Sequence, residues 1–153
     1  MSMKAIFVDC PTGIAGDMLL AAFMDLGVPK KIIEGPLSSI GLGETFSLRV
    51  QEENSLGIRG MRVFVDGFEK KHSPICLKEI ISIIENSSWS DSLRKKVINV
   101  FTKLAEAESV VHGESFDKVH FHEIGSLDAL VEVTSICSIV EYFDPIKIFC
   151  TTP

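Results

Sequence analysis

Lys4-Ala5-Ile6-Phe7-Val8-Asp9-Cys10-Pro11-Thr12-Gly13-Ile14-Ala15-Gly16-Asp17-Met18 carries a strand-like apolar run into a glycine-bearing loop and then into a helix start. That order puts Asp9 at the carboxyl end of a strand, the side on which α/β sheets bind ligands. A helix is predicted from Ile14 to about Leu26, because Met18, Leu19, Ala22, Phe23 and Leu26 recur at helical spacing. Backbone N–H groups at such a strand–loop–helix junction can hold a phosphate or carboxylate. The loop is neither GxGxxG nor a Walker loop. A tight turn would use its glycines equally well, and Asp17 in the first turn also suits the helix dipole.

Working outward, Gly27 stops the first helix and Pro29 suits the start of another. That second helix, Lys30 to Ile40, is expected to break at Gly35-Pro36. Residues 46–51 and 61–66 alternate apolar and polar as half-buried strands do, and the turn-rich link 54–60 predicts an antiparallel hairpin. Helices follow from about Leu77 to Glu85 and from Ser90 or Asp91 to Val111. The second of these carries the apolar stripe Leu93, Val97, Val100, Phe101 and Leu104. A last helix covers about Ser126 to Tyr142, and residues 147–150 read as a strand. Strand, helices, strand pair, helices, strand is the order of an α+β fold: helices packed on a small mixed β-sheet, one domain over residues 1–153. A strand ending so close to Pro153 leads us to expect a truncated chain or one half of a split protein.

The 153 residues suffice for one domain with a core, and 46% hydrophobic with 24% charged residues is ordinary globular composition. A net charge of -6 without a basic cluster argues against nucleic acid and anionic membranes as partners. No apolar run approaches the ~20 residues of a membrane span. The four cysteines, at positions 10, 76, 137 and 150, form no CxxC pair or disulfide framework, which fits a cytoplasmic protein with reduced thiols.

Val119-His120-Phe121-His122-Glu123-Ile124-Gly125-Ser126-Leu127-Asp128 is the other chemically rich stretch. In an extended conformation His120 and His122 share a face, a common bidentate metal arrangement. A hydrogen-bonded core histidine and a capping Glu123 are the plainer reading. In the helix beyond, Asp128 and Glu132 lie four residues apart on one face. They call for a metal, a histidine, a Lys/Arg partner or water. For Glu132 alone a solvent-facing stripe is the simplest account. His112, just before Gly113, either serves the end of its helix or joins the same site, while His72 sits in a lysine-rich turn. No nucleophile elbow or triad appears.

Together these segments resemble the LarC family, the nickel-insertion proteins of nickel-pincer cofactor biosynthesis. The likeness rests on Asp9-Cys10, the pair Pro11-Thr12, then Gly13-Ile14-Ala15-Gly16-Asp17-Met18. It continues through Leu104-Ala105-Glu106-Ala107-Glu108, Val111-His112-Gly113, Val119 to Gly125, and Asp128. The resemblance implies a cytoplasmic cyclometallase, a lyase-type enzyme. It would insert nickel into pyridinium bis-thiocarboxylic acid mononucleotide, for use by lactate racemase and related enzymes. CTP with magnesium or manganese is the implied cofactor, bound by a carboxyl-terminal domain beyond this chain, which is the expected partner in a homo-oligomer. The family's histidine-rich stretch is reduced here to His72, its usual Asp is Glu132, and Pro11-Thr12 replaces a more usual pair.

On chemistry, His120 and His122, joined by His112, are the candidate nickel ligands. His120, His122, Glu123 and Asp128 are the candidate catalytic groups, and Asp9, Thr12, Gly13, Gly16 and Asp17 the candidate substrate-binding loop. Two rival readings remain: a non-catalytic module for metal or substrate delivery or for assembly, and a metal-dependent phosphate-handling hydrolase.

Overall fold

The structure, a computed structural model, describes residues 5–41, 47–66, 76–113, 127–143 and 147–151. The first strand, β1 (Ala5–Val8), pairs in parallel with the last, β4 (Lys147–Cys150), in the register Ala5 to Lys147 and Val8 to Cys150. A parallel pair demands a long crossover; here every other element lies between the two strands. The middle strands, β2 (Ser47–Ser55) and β3 (Ile58–Asp66), form a separate antiparallel hairpin. Parallel and antiparallel pairing are both present, as an α+β fold with mixed strands requires, divided between two two-stranded sheets among the described residues.

The hairpin is tighter than the sequence predicts. Its strands run through the turn-rich link and leave only Leu56-Gly57 as the turn. Both residues have positive φ, 51° and 82°, the backbone of a type I′ turn that matches strand twist. Asn54 Oδ1 accepts the Gly57 N–H at 3.1 Å.

Five helices among the described residues supply most of the core. Helix α1 (Gly16–Asp25) buries Leu20, Ala21 and Phe23 and leaves Met18, Ala22 and Leu26 exposed. This corrects the predicted face. Apolar residues fill almost the whole of α1, so spacing alone does not phase it, and packing against β3 and the last helix does. Helix α2 (Lys31–Ser39) also departs from expectation by running unbroken through Gly35-Pro36. Proline removes one helical hydrogen bond. Ile33 and Leu37, both fully buried, offset that loss, each being worth roughly 1.5–3 kcal/mol. The indole N–H of Trp89 donates to Pro36 O and to Ser39 Oγ, both at 2.8 Å, which secures the end of the helix.

Helix α3 (Leu77–Glu85) buries Leu77, Ile80 and Ile84, and its first amide, on Cys76, donates to Glu79 at 2.9 Å. Helix α4 (Asp91–His112) is capped by Ser90, whose Oγ accepts the Leu93 N–H at 3.0 Å. Gly113 ends it at φ 64°, a left-handed cap that glycine adopts freely. The predicted α4 stripe is seen in the structure: Leu93, Val97 and Phe101 are buried, with Val100 and Leu104 packed beside them.

The last helix, α5 (Leu127–Phe143), is the centre of the molecule. Its Leu130 and Cys137 pack with α3 and α4. Its Val131 and Ile139 pack on the other side with α1, α2 and the hairpin residues Leu48 and Val63. A helix apolar around most of its circumference must be covered on most sides. α5 achieves this by standing between two layers. Ser135 and Ser138 lie inside it because their hydroxyls donate to carbonyls one turn back, Val131 O and Thr134 O.

Candidate functional site

The loop from Asp9 to Gly16 leaves the carboxyl end of β1. Pro11 and Thr12 occupy its turn, closed by Gly13 N–H to Cys10 O at 3.0 Å. Proline is favoured at the second position of such a turn and glycine at the fourth. Gly13 then takes φ 87°, a conformation that other residues adopt only with strain. Asp9 and Thr12 are exposed beside it. The loop is pinned to the residue after β4: Cys10 N–H donates to Thr151 Oγ1 at 2.7 Å, and Thr151 N–H to Val8 O at 3.1 Å.

At the far end of the loop Ala15 precedes α1 without a side-chain cap, so the first amides of the helix lack the usual N-cap acceptor. Asp17 Oδ1 accepts the neighbouring Met18 N–H at 2.8 Å. Here α1 packs against α5. A β-carbon on Gly16 would fall 2.2 Å from Glu132 Oε2 and 3.2 Å from Glu132 Cβ. Glycine here leaves room for the carboxylate in its present position against the first turn.

Glu132 is half-buried rather than part of a solvent-facing stripe. Burial pushes its carboxyl pKa above the usual range, and the negative charges of Asp17 and Asp128 push it further in the same direction. Among the described residues, Asp17 and Asp128 thus both act on Glu132. Asp17 comes from the amino-terminal loop and first turn, Asp128 from the first turn of α5, and Glu132 stands between their fields. The spacing of Asp128 and Glu132 signals their common face; no local signal shows that Gly16 and Asp17 meet it.

His112 ends α4 and pairs with Glu108 one turn back, Nε2 to Oε2 at 3.0 Å. His120, His122 and Glu123 lie outside the described residues, as does His72. Among the described residues no group of three His, Cys, Asp or Glu side chains is close enough to hold a metal ion. The negative charges of Asp17 and Asp128 that act on Glu132 repel a bare phosphate and attract a cation.

Residues 6–153 match the family model described as nickel insertion protein. The chain is 37% identical to the pyridinium-3,5-bisthiocarboxylic acid mononucleotide nickel insertion protein of Clostridium kluyveri, an alignment covering 92% of this chain and 38% of that protein. It is 37% identical to a putative nickel insertion protein of Geobacter metallireducens, covering 92% of this chain and 36% of the relative. With the pyridinium-3,5-bisthiocarboxylic acid mononucleotide nickel insertion protein of Staphylococcus epidermidis identity is 33%, over 97% of this chain and 37% of the relative. No solved structure gives a significant match. The chain belongs to the nickel insertion protein family. It spans about two fifths of the length of the curated relatives it matches. Among the described residues no helix is long and apolar enough to cross a membrane.

Proposed function

We propose that this chain is the amino-terminal part of a cytoplasmic nickel-insertion enzyme. Its substrates would be nickel and pyridinium-3,5-bisthiocarboxylic acid mononucleotide, the molecule in the names of its relatives. The observation that carries the reading is the packing of Gly16 against Glu132, with Asp17 and Asp128 both acting on that carboxyl. We place the Asp9–Asp17 loop and the His120–Asp128 segment in one cleft, a reading supported by the approach of Glu132 to Gly16.

In this cleft His120 and His122, with His112, hold nickel in transit, since nickel accepts imidazole readily. Metallation of a ring carbon releases a proton, and a neutral histidine, Glu123 or Asp128 takes it up. Thr12, Gly13 and the first amides of α1, beginning at Gly16, hold the anionic end of the substrate. Asp9 and Asp17 orient it. The carboxylates beside those amides make a bridging cation part of substrate binding, because bare anions repel them.

CTP with magnesium or manganese is assigned to a carboxyl-terminal domain, the partner of this one in a homo-oligomer. The described loop does not fit a triphosphate, since its charged side chains, Asp9 and Asp17, are both acidic and it carries no lysine or arginine.

Nickel titration of the chain by calorimetry, compared with a His120→Ala/His122→Ala double variant, tests the metal part. A loss of at least about tenfold in affinity is expected; equal binding by both proteins would remove the histidines from the nickel site.

The alternative is a delivery or assembly module with no chemistry of its own. Substitution of Asp17, Asp128 or His122 within the assembled protein separates the two. Loss of insertion with assembly intact supports the enzyme, and unchanged insertion supports the module.

A further inference from the structure

At the carboxyl ends of β1 and β4 two thiols meet that the nickel chemistry above does not use. Cys10 Sγ lies 3.2 Å from Cys150 Sγ. The parallel register of Val8 with Cys150 brings them together. The hydrogen bonds of Thr151 to Cys10 N–H and Val8 O hold them there. Cys10 is buried, at 7% exposure, whereas Cys150 is open to solvent. The other two cysteines stand apart. Cys76 begins α3, and Cys137 is buried in α5 with its thiol pushed up to about 11 by burial.

We propose that Cys10 and Cys150 form a redox modification site that closes to an intramolecular disulfide on reaction with a low-molecular-weight disulfide. The exposed Cys150 thiolate attacks one sulfur of the small disulfide and releases one thiolate, leaving a mixed disulfide on Cys150. Cys10 gives up its proton, attacks Cys150 Sγ and displaces the second small thiolate. The two protons lost from the cysteines complete two small thiols. The cysteine pair is oxidised by two electrons and the small disulfide reduced by two.

The sulfurs close from 3.2 Å to about 2.05 Å. The bond ties the base of the Asp9–Asp17 loop to the end of β4 and cross-links the unfolded chain over most of its length. A hydrogen bond shared with Cys10 raises the Cys150 thiol pKa, so the first attack quickens as pH rises.

The test is to incubate the reduced protein with oxidised glutathione, alkylate it and map its peptides. We expect a product lighter by two hydrogens with Cys10 linked to Cys150, and a Tm raised by roughly 10 °C over the reduced protein. Cys10→Ser accumulates a glutathione adduct on Cys150, and Cys150→Ser leaves Cys10 unmodified. The proposal is overturned if the wild type keeps both thiols free, links a different pair or cross-links between molecules. It is also overturned if Cys150→Ser takes up glutathione at Cys10 as fast as the wild type reacts. Should Cys10→Ser fail to fold, the exposed Cys150→Ser carries the test.

Discussion

Glu132 of α5 lies so close to Gly16 of α1 that a single added carbon would stand 2.2 Å from its carboxylate. This contact couples the amino-terminal loop to the central helix, and it is testable as a coupling. Gly16→Ala pushes aside the Glu132 carboxylate, the far end of a flexible side chain, and crowds its Cβ at 3.2 Å, so a destabilisation of about 1 kcal/mol, the low end of overpacking costs, is expected. In a Glu132→Ala background the carboxylate is gone and only the 3.2 Å approach to the Cβ of residue 132 remains, so the same change costs less, offset by up to ~1 kcal/mol from the better helix propensity of alanine. Urea denaturation of the four proteins in this cycle reads the coupling. Equal Gly16→Ala costs in both backgrounds would show that the contact does not form.

Glu132 also sets a pH dependence. Burial, then Asp17 and Asp128, raise its pKa in the folded protein above the ordinary 4.5. The folded state therefore binds this proton more tightly than the unfolded chain. The resulting stability is fully present below the ordinary pKa and is lost as pH rises through the folded value. Glu132→Gln removes the titration. Its Tm advantage over the wild type should be small near about pH 4 and grow toward about pH 7. A difference independent of pH would contradict the shift.

Saturating nickel or magnesium should shrink that advantage at neutral pH if a cation binds among these carboxylates, because it would favour the charged form of Glu132 in the wild type alone. Thermal melts with and without metal measure this. Equal metal-induced shifts in wild type and Glu132→Gln would place the cation elsewhere.

The hairpin turn carries a strain that one substitution removes. Leu56 is fully exposed and sits at φ 51°, where a branched residue costs roughly 1–2 kcal/mol and asparagine less. Leu56→Asn creates the Asn-Gly pair preferred in type I′ turns. It should raise stability by about 0.5–1 kcal/mol, with Gly57→Ala acting in the opposite direction.

Inside α5, Thr134 Oγ1 is buried and finds no hydrogen-bond partner among the described residues. Thr134→Val keeps the shape and removes the unsatisfied hydroxyl, so chemical denaturation should show a gain of roughly 1 kcal/mol. A loss of similar size would mean that the hydroxyl has a partner.

Much of the fold is legible residue by residue. Ser90 and Gly113 bracket α4 through a side-chain cap and a left-handed stop, both readable from residue type. The α4 stripe of Leu93, Val97 and Phe101 reads directly because charged residues occupy the opposite face. α1 resists such reading because Met18 to Met24 is apolar all round, and its buried face came out rotated from the predicted one. Pro36 breaks helices in isolation, yet α2 continues through it because Ile33 and Leu37 are buried and Trp89 reaches Pro36 O. In the candidate site, Asp9, Gly13, Gly16, Asp17 and Asp128 stand out as chemically apt residues. Glu132 passes as surface because its neighbour Asp17 lies far away along the chain.

Local physics in the sequence thus determined the elements, their caps, the hairpin and the two motif segments that place the chain in its family. These depend on interactions within a few residues, which periodicity and residue type record. Tertiary structure alone decided that α5 stands between two layers, that Gly16 admits Glu132 beside Asp17, and that Cys10 meets Cys150. Each of these is a close approach between distant parts of the chain. It arises only when apolar faces without a local phase find one another and exclude water.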